Sequence, residues 1–100
     1  MVGATDYLGH RAYYSNWGHT VDVMAPGGDM RVDRNADGLP DGIFTLTYPG
    51  LGTDTTIVQG TSFSAPYVSG LVALMKSIKP DLNHEEALSI LKATADPAGQ

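Results

Sequence analysis

The sequence contains no cysteine, which excludes a disulfide framework, a thiolate nucleophile and any Cys-ligated zinc or iron–sulfur site. It is also poor in positive charge. Six Lys and Arg stand against 11 Asp and Glu, a formal net charge of -5, so neither phosphate backbones nor anionic lipid find an electrostatic footprint. No nucleic acid and no membrane surface is expected as a partner. Long hydrophobic runs are missing as well: Tyr67 to Met75 is broken by Ser69 and Gly70, far short of the ~20 residues that span a bilayer. The opening Met1-Val2-Gly3-Ala4-Thr5-Asp6 has neither the basic end nor the apolar stretch of a secretory signal, so any such signal is expected outside this chain or not at all. Charged residues make up only 17%, yet 42% of the chain is hydrophobic, which separates it from disordered sequences. Its 100 residues suffice for one small domain with a core but not for two.

Gly and Pro punctuate the first two thirds and then thin out between Pro66 and Pro80, so strands and loops are expected first and helices last. Val21-Asp22-Val23 reads as a short strand ending at Ala25-Pro26-Gly27-Gly28. Ile43 to Tyr48 is a β-branched and aromatic run closed by Pro49-Gly50, and Thr55-Thr56-Ile57-Val58 follows after Leu51-Gly52-Thr53-Asp54, which predicts a hairpin. From Val68 the period changes. Val68, Leu71, Val72, Met75 and Ile78 form one apolar helical face, expected to be buried and stopped by Lys79-Pro80. A second helix is predicted with Asn83 as N-cap, Glu86 completing a capping box, and Leu88, Leu91 and Ala95 as a modest apolar stripe ending at Asp96-Pro97-Ala98-Gly99.

The most informative stretch is Gly60-Thr61-Ser62-Phe63-Ser64-Ala65-Pro66, a serine after a strand-like run and at a helix entrance. N–H groups of a first helical turn lack intrahelical partners and face the positive end of the dipole, so an oxyanion forming beside Ser62 would be stabilised. Gly60 permits close approach of backbone and substrate, and Pro66 is expected to be tolerated in the opening turn. Taken alone, a serine in this place is most often a plain N-cap.

The whole string, continued by Val68, Ser69-Gly70 and Ala73-Leu74, closely resembles the active-serine signature of subtilisin-like serine proteases (the subtilase family, peptidase S8 type). It differs from the G-x-S-x-G elbow, since Ser64 stands where the second glycine would be. Upstream, Val2-Gly3-Ala4-Thr5, Tyr14-Ser15-Asn16-Trp17-Gly18 and Val21-Asp22-Val23-Met24-Ala25-Pro26-Gly27 resemble the segments that precede the serine in this family; downstream, Lys79-Pro80-Asp81-Leu82 and Leu91 to Ala95 resemble the end of its catalytic domain. Tyr67 departs from the family, whose members often carry His after the proline. The resemblance implies an α/β fold, part of a subtilisin-like parallel-sheet fold with a β-hairpin and two C-terminal helices, in which residues 1–100 are a C-terminal fragment of the peptidase domain. It also implies serine endopeptidase chemistry through an acyl-enzyme on protein or peptide substrates, with Ser62 as nucleophile, its N–H as an oxyanion donor, and Gly60 and Thr61 lining the site. An extracellular, secreted setting is implied too.

In this family the acid and the base precede the serine in their own motifs, and neither motif occurs here. The amide that completes the oxyanion hole and most of the primary pocket are likewise expected from a missing N-terminal part. His19 in Gly18-His19-Thr20 is superficially similar to the family's His-Gly-Thr but has the wrong order; His10 and His84 read as surface residues, and Asp22 as a structural carboxylate. Without a base the Ser62 hydroxyl is a poor nucleophile, so the isolated chain is expected to be inactive.

Asp33-Arg34-Asn35-Ala36-Asp37-Gly38-Leu39-Pro40-Asp41 places oxygen side chains at positions one, three, five and nine with Gly at six, the spacing of a calcium loop. The Leu39 carbonyl would supply position seven. Phe44 rather than Glu at position twelve rules out a complete EF-hand. The pattern is similar to shorter calcium loops of extracellular bacterial proteins, and residues 29–42 form an insertion relative to the family. A plain Asx-rich turn is the competing explanation. The alternative to an enzyme is a non-catalytic calcium-binding or interaction module on the same scaffold; a self-contained hydrolase using His19 and Asp22 ranks last.

Overall fold

The computed structural model describes residues 1–46 and 55–96. Strand β1 (Val2–Thr5) pairs in parallel with β2 (Val23–Pro26), Val2 opposite Val23 through Thr5 opposite Pro26. The connection returns along β1: Ala12 N–H donates to the Ala4 carbonyl and Ala4 N–H to Ser15 Oγ, both at 2.9 Å. β2 therefore starts at the last residue of the expected Val21–Val23 strand and takes in Ala25-Pro26, expected as a loop. Pairing with β1 sets these bounds, and Pro26 is tolerated because it ends a strand of a two-stranded sheet.

Strands β3 (Ile43–Leu46) and β4 (Thr55–Val58) pair antiparallel, Ile43 opposite Val58 and Leu46 opposite Thr55. The two expected hairpin strands are thus present; Thr47, Tyr48 and the Leu51–Asp54 connection lie outside the described residues. Between β2 and β3, residues 29–42 leave and rejoin at one place, where Asp29 bridges Asp41 and Asp29 N–H donates to the Asp41 carbonyl at 2.8 Å.

Helix α1 (Thr61–Ile78) begins seven residues before Val68 and ends where Lys79-Pro80 predicted. Its early start corrects the expectation for Pro66, which lies inside the helix rather than in its first turn. The proline has no N–H to offer the Ser62 carbonyl four residues back. Nor is the predicted apolar face buried as a unit. Ser64 is buried and Val68, Val72 and Met75 half-buried, whereas Tyr67, Leu71, Leu74 and Ile78 form a parallel stripe open to solvent, Ile78 being 87% exposed. Helix α1 packs against β1 and β2, and two short strands are too narrow to cover an apolar band of that width.

Helix α2 (His84–Thr94) carries the predicted capping box: Asn83 Oδ1 accepts from Glu86 N–H at 2.8 Å, and the Glu86 carboxylate accepts from Asn83 N–H. Lys92 ties it to Asp22 at 3.2 Å. The apolar residues that the described chain buries fully are small or few, namely Ala4, Ala12, Ala25, Leu82 and Ala87. No helix of the described residues is long and apolar enough to cross a membrane.

Candidate active-site serine

Ser62 sits in the first turn of α1 and is exposed. It is not the helix cap. The N-cap is Gly60, at φ 142° and ψ 156°, with no side-chain cap bond, a conformation that L side chains rarely adopt. The plain-cap explanation for Ser62 is therefore replaced by a glycine that takes the chain from β4 into the helix without using a side chain. Phe63 N–H donates to the Gly60 carbonyl at 3.1 Å, while the Ser62 N–H, one residue earlier, has no carbonyl within the helix to meet. Thr61, the first helical residue, is half-buried beside it.

Four hydrogen bonds hold this entrance in place. Gly60 N–H donates to the Gly27 carbonyl at 3.0 Å and to the Tyr14 hydroxyl at 3.1 Å. That hydroxyl donates in turn to the Gly28 carbonyl at 2.8 Å. Ser64, wholly buried, donates from Oγ to the Pro26 carbonyl at 3.1 Å. Gly27 is at the centre of this packing: a Cβ there would lie 2.6 Å from Ala4 Cβ and from the Tyr14 hydroxyl oxygen, and 2.7 Å from Ser64 Oγ. Burial raises the Tyr14 pKa above its ordinary value, partly offset by the Gly60 N–H it accepts, so the phenol stays protonated at neutral pH.

Next to it, Tyr13 meets Tyr14 edge to face at 5.2 Å between ring centres. The Tyr13 hydroxyl accepts from Gln59 Nε2 at 2.6 Å, and Gln59 Oε1 accepts from Met30 N–H at 2.8 Å. The Arg31 guanidinium stacks 3.6 Å from the Tyr13 ring centre and grips buried Asp29 with two bonds of 2.9 Å. That grip holds the Asp29 carboxyl below the usual carboxylate range. Sequence reasoning missed Tyr13, Tyr14 and Gln59, because their partners lie 46 residues apart in the chain and no local pattern marks them.

The other candidates fall elsewhere. His10, His19 and His84 are exposed, and no hydrogen bond among the described residues joins any of them to Ser62. Asp22 pairs with Lys92, in keeping with a structural carboxylate. In the acidic loop, Asp33 accepts from Asp37 and Gly38 N–H (3.2 and 3.0 Å), Asp37 accepts from Leu39 N–H (2.9 Å) and Asn35 Nδ2 (3.2 Å), and Ala36 adopts φ 56°. Asp41 closes the same loop from its far end, accepting from Arg34 N–H at 2.7 Å. Among the described residues no three His, Cys, Asp or Glu are gathered so as to hold a metal ion. The donor set nevertheless suits calcium in kind, since it offers hard oxygens on alternate residues of one tight turn.

Comparison with known proteins agrees with the motif. The model of the subtilase family matches residues 1–100. The chain is 36% identical over 98 residues to a "Probable subtilase-type serine protease" of Deinococcus radiodurans, covering 93% of this chain and 13% of that protein. It is 36% identical over 84 residues to cerevisin of Saccharomyces cerevisiae, covering 84% and 11%. Subtilisin Savinase of Lederbergia lenta is 33% identical over 98 residues, covering 98% and 30%. The chain thus spans less than a third of the length of each of these relatives. The α/β architecture, the glycine-capped helix carrying Ser62 and the match over residues 1–100 show that the chain belongs to the subtilase family.

Proposed function

We propose that this chain is the serine-bearing, C-terminal portion of the catalytic domain of a secreted serine endopeptidase, with Ser62 as the attacking oxygen. The observation that carries this reading is the placement of Ser62: exposed in the first turn of α1, behind a glycine cap, with its hydroxyl uncommitted to the described residues. Attack by Ser62 Oγ on a peptide carbonyl would form the acyl-enzyme, and the developing oxyanion would lie against the Ser62 N–H at the positive end of the helix. Gly60 and Thr61 would line the site. The general base and the acid would come from the remaining part of the catalytic domain, which would also cover the open Tyr67, Leu71, Leu74 and Ile78 stripe. That stripe is the kind of contiguous apolar surface that a partner layer covers.

The test is labelling of Ser62 by a fluorophosphonate probe. The longer protein that carries this chain should label and cleave casein, and Ser62→Ala should abolish both. The 100-residue chain alone should do neither, and robust labelling of the isolated chain at Ser62 would overturn its dependence on outside residues.

Calcium is proposed as a structural ligand of the 29–42 insertion, held by Asp33, Asn35, Asp37, the Leu39 carbonyl and Asp41. It would neutralise clustered carboxylates and stiffen a surface loop, in keeping with an extracellular setting. The competing reading, a non-catalytic calcium-binding or interaction module, draws on the lack of any bond between Ser62 and a described histidine. An upstream reading frame without Asp and His motifs would favour it.

A further inference from the structure

Two adjacent tyrosines, Tyr13 and Tyr14, each hold one of the two consecutive residues, Gln59 and Gly60, that lead into the nucleophile segment. Tyr14 uses its single hydroxyl twice, donating to the Gly28 carbonyl and accepting from Gly60 N–H. Tyr13 fixes the Gln59 amide, whose other end is held by Met30 N–H. The tyrosine pair is itself braced. The Arg31 guanidinium lies over the Tyr13 ring, and Asp29, 2% exposed, fixes that guanidinium through both carboxylate oxygens. The loop after β2 therefore reaches the entrance of α1 at two successive residues through a string of polar contacts.

We propose that Tyr13 and Tyr14 are positioning residues for Ser62: by locking Gln59 and Gly60 they hold the first turn of α1, and with it the Ser62 hydroxyl and N–H, in one register relative to β2. The hydroxyls of both tyrosines bond to residues other than Ser62, so the effect is exerted through the segment that leads into α1. Gly60 needs such support, because a glycine cap at φ 142° has more conformations open to it than any other residue and no side chain to restrict them. Small displacements of a reacting group lower the rate without weakening substrate binding at other subsites. The inference rests on the reading of Ser62 as nucleophile.

The experiment compares the longer protein carrying this chain with its Tyr14→Phe variant, which keeps the ring and removes only the hydroxyl. Three quantities are measured: the rate of fluorophosphonate labelling at Ser62, kcat and KM on a peptide substrate, and Tm. Loss of one positioning hydrogen bond should slow labelling and lower kcat about five- to tenfold, with KM within about twofold. Tyr13→Phe should act in the same direction and more weakly, since it frees the Gln59 side chain but not Gly60 N–H. A Tyr14→Phe enzyme that labels at the wild-type rate, or that loses Tm or KM with kcat unchanged, overturns the proposal. If Tyr14→Phe does not fold, Gln59→Ala replaces it, with slower labelling expected and an unchanged rate overturning the proposal. Absence of labelling in the wild-type longer protein would fail the nucleophile reading itself, a result distinct from equal labelling of wild type and variant.

Discussion

Ser64 Oγ donates a hydrogen bond to the Pro26 carbonyl at 3.1 Å from a wholly buried position, joining the last residue of β2 to the helix that carries Ser62. Ser64 thus stands where a G-x-S-x-G elbow would have its glycine, and its hydroxyl satisfies the carbonyl of the last β2 residue. Replacing it with Ala leaves that acceptor unpaired, so Ser64→Ala should destabilise by about 1–3 kcal/mol. Urea denaturation measures this; a midpoint equal to wild type would show that the bond contributes nothing.

Gly27 admits no side chain. Ala4, Tyr14 and Ser64 all stand within 2.7 Å of where a Cβ would fall, and two of these positions belong to rigidly held groups. Gly27→Ala is expected to cost about 1–3 kcal/mol through overpacking and to slow Ser62 labelling by shifting α1. Gly70 is the control, because a Cβ there would meet nothing within 4 Å in this chain: Gly70→Ala should leave the isolated chain's fold intact by circular dichroism.

Acid should weaken the brace beneath Tyr13. Arg31 lowers the Asp29 pKa in the folded protein, below the unfolded carboxylate value of about 3.9. A group depressed in this way contributes its full stabilisation above the unfolded pKa and loses it as pH falls through the folded one. Between about pH 7 and pH 5 the contribution should be constant; below about pH 4 it should decline. Tm measured against pH should therefore fall more steeply for wild type than for Asp29→Asn, and parallel curves would remove Asp29 from the account.

Calcium held by the 29–42 loop should raise Tm, and EDTA should lower it. Asp33→Ala and Asp37→Ala should each remove that response, because Asp33 and Asp37 are the two carboxylates that share the turn. Calorimetric titration giving no heat, together with an unchanged Tm in EDTA, would dispose of the calcium proposal.

Much of the local architecture is legible in the residues. Asn83 and Glu86 form their capping box because the required groups sit three positions apart and need nothing else. Lys79-Pro80 ends α1 for the equally local reason that proline cannot continue a helix. Expectation and structure part where a neighbour in space outweighs the local pattern. β2 extends through Pro26 because β1 is there to pair with it. The Val68–Ile78 face is only half covered because β1 and β2 supply too little surface, and Pro66 lies inside α1 because the helix starts at Gly60's turn rather than at the apolar repeat.

By itself, the sequence marked the candidate site and the family: a serine at a helix entrance after a glycine, within a motif long enough to indicate the subtilase family. Only the tertiary structure decided how that serine is held. Tyr14 and Gly60 are separated by 46 positions, and helical or strand periodicity carries no information at such a distance. Their meeting follows from β1 and β2 pairing in parallel beneath α1, which brings the loop after β2 and the segment before Ser62 within reach of one phenolic hydroxyl.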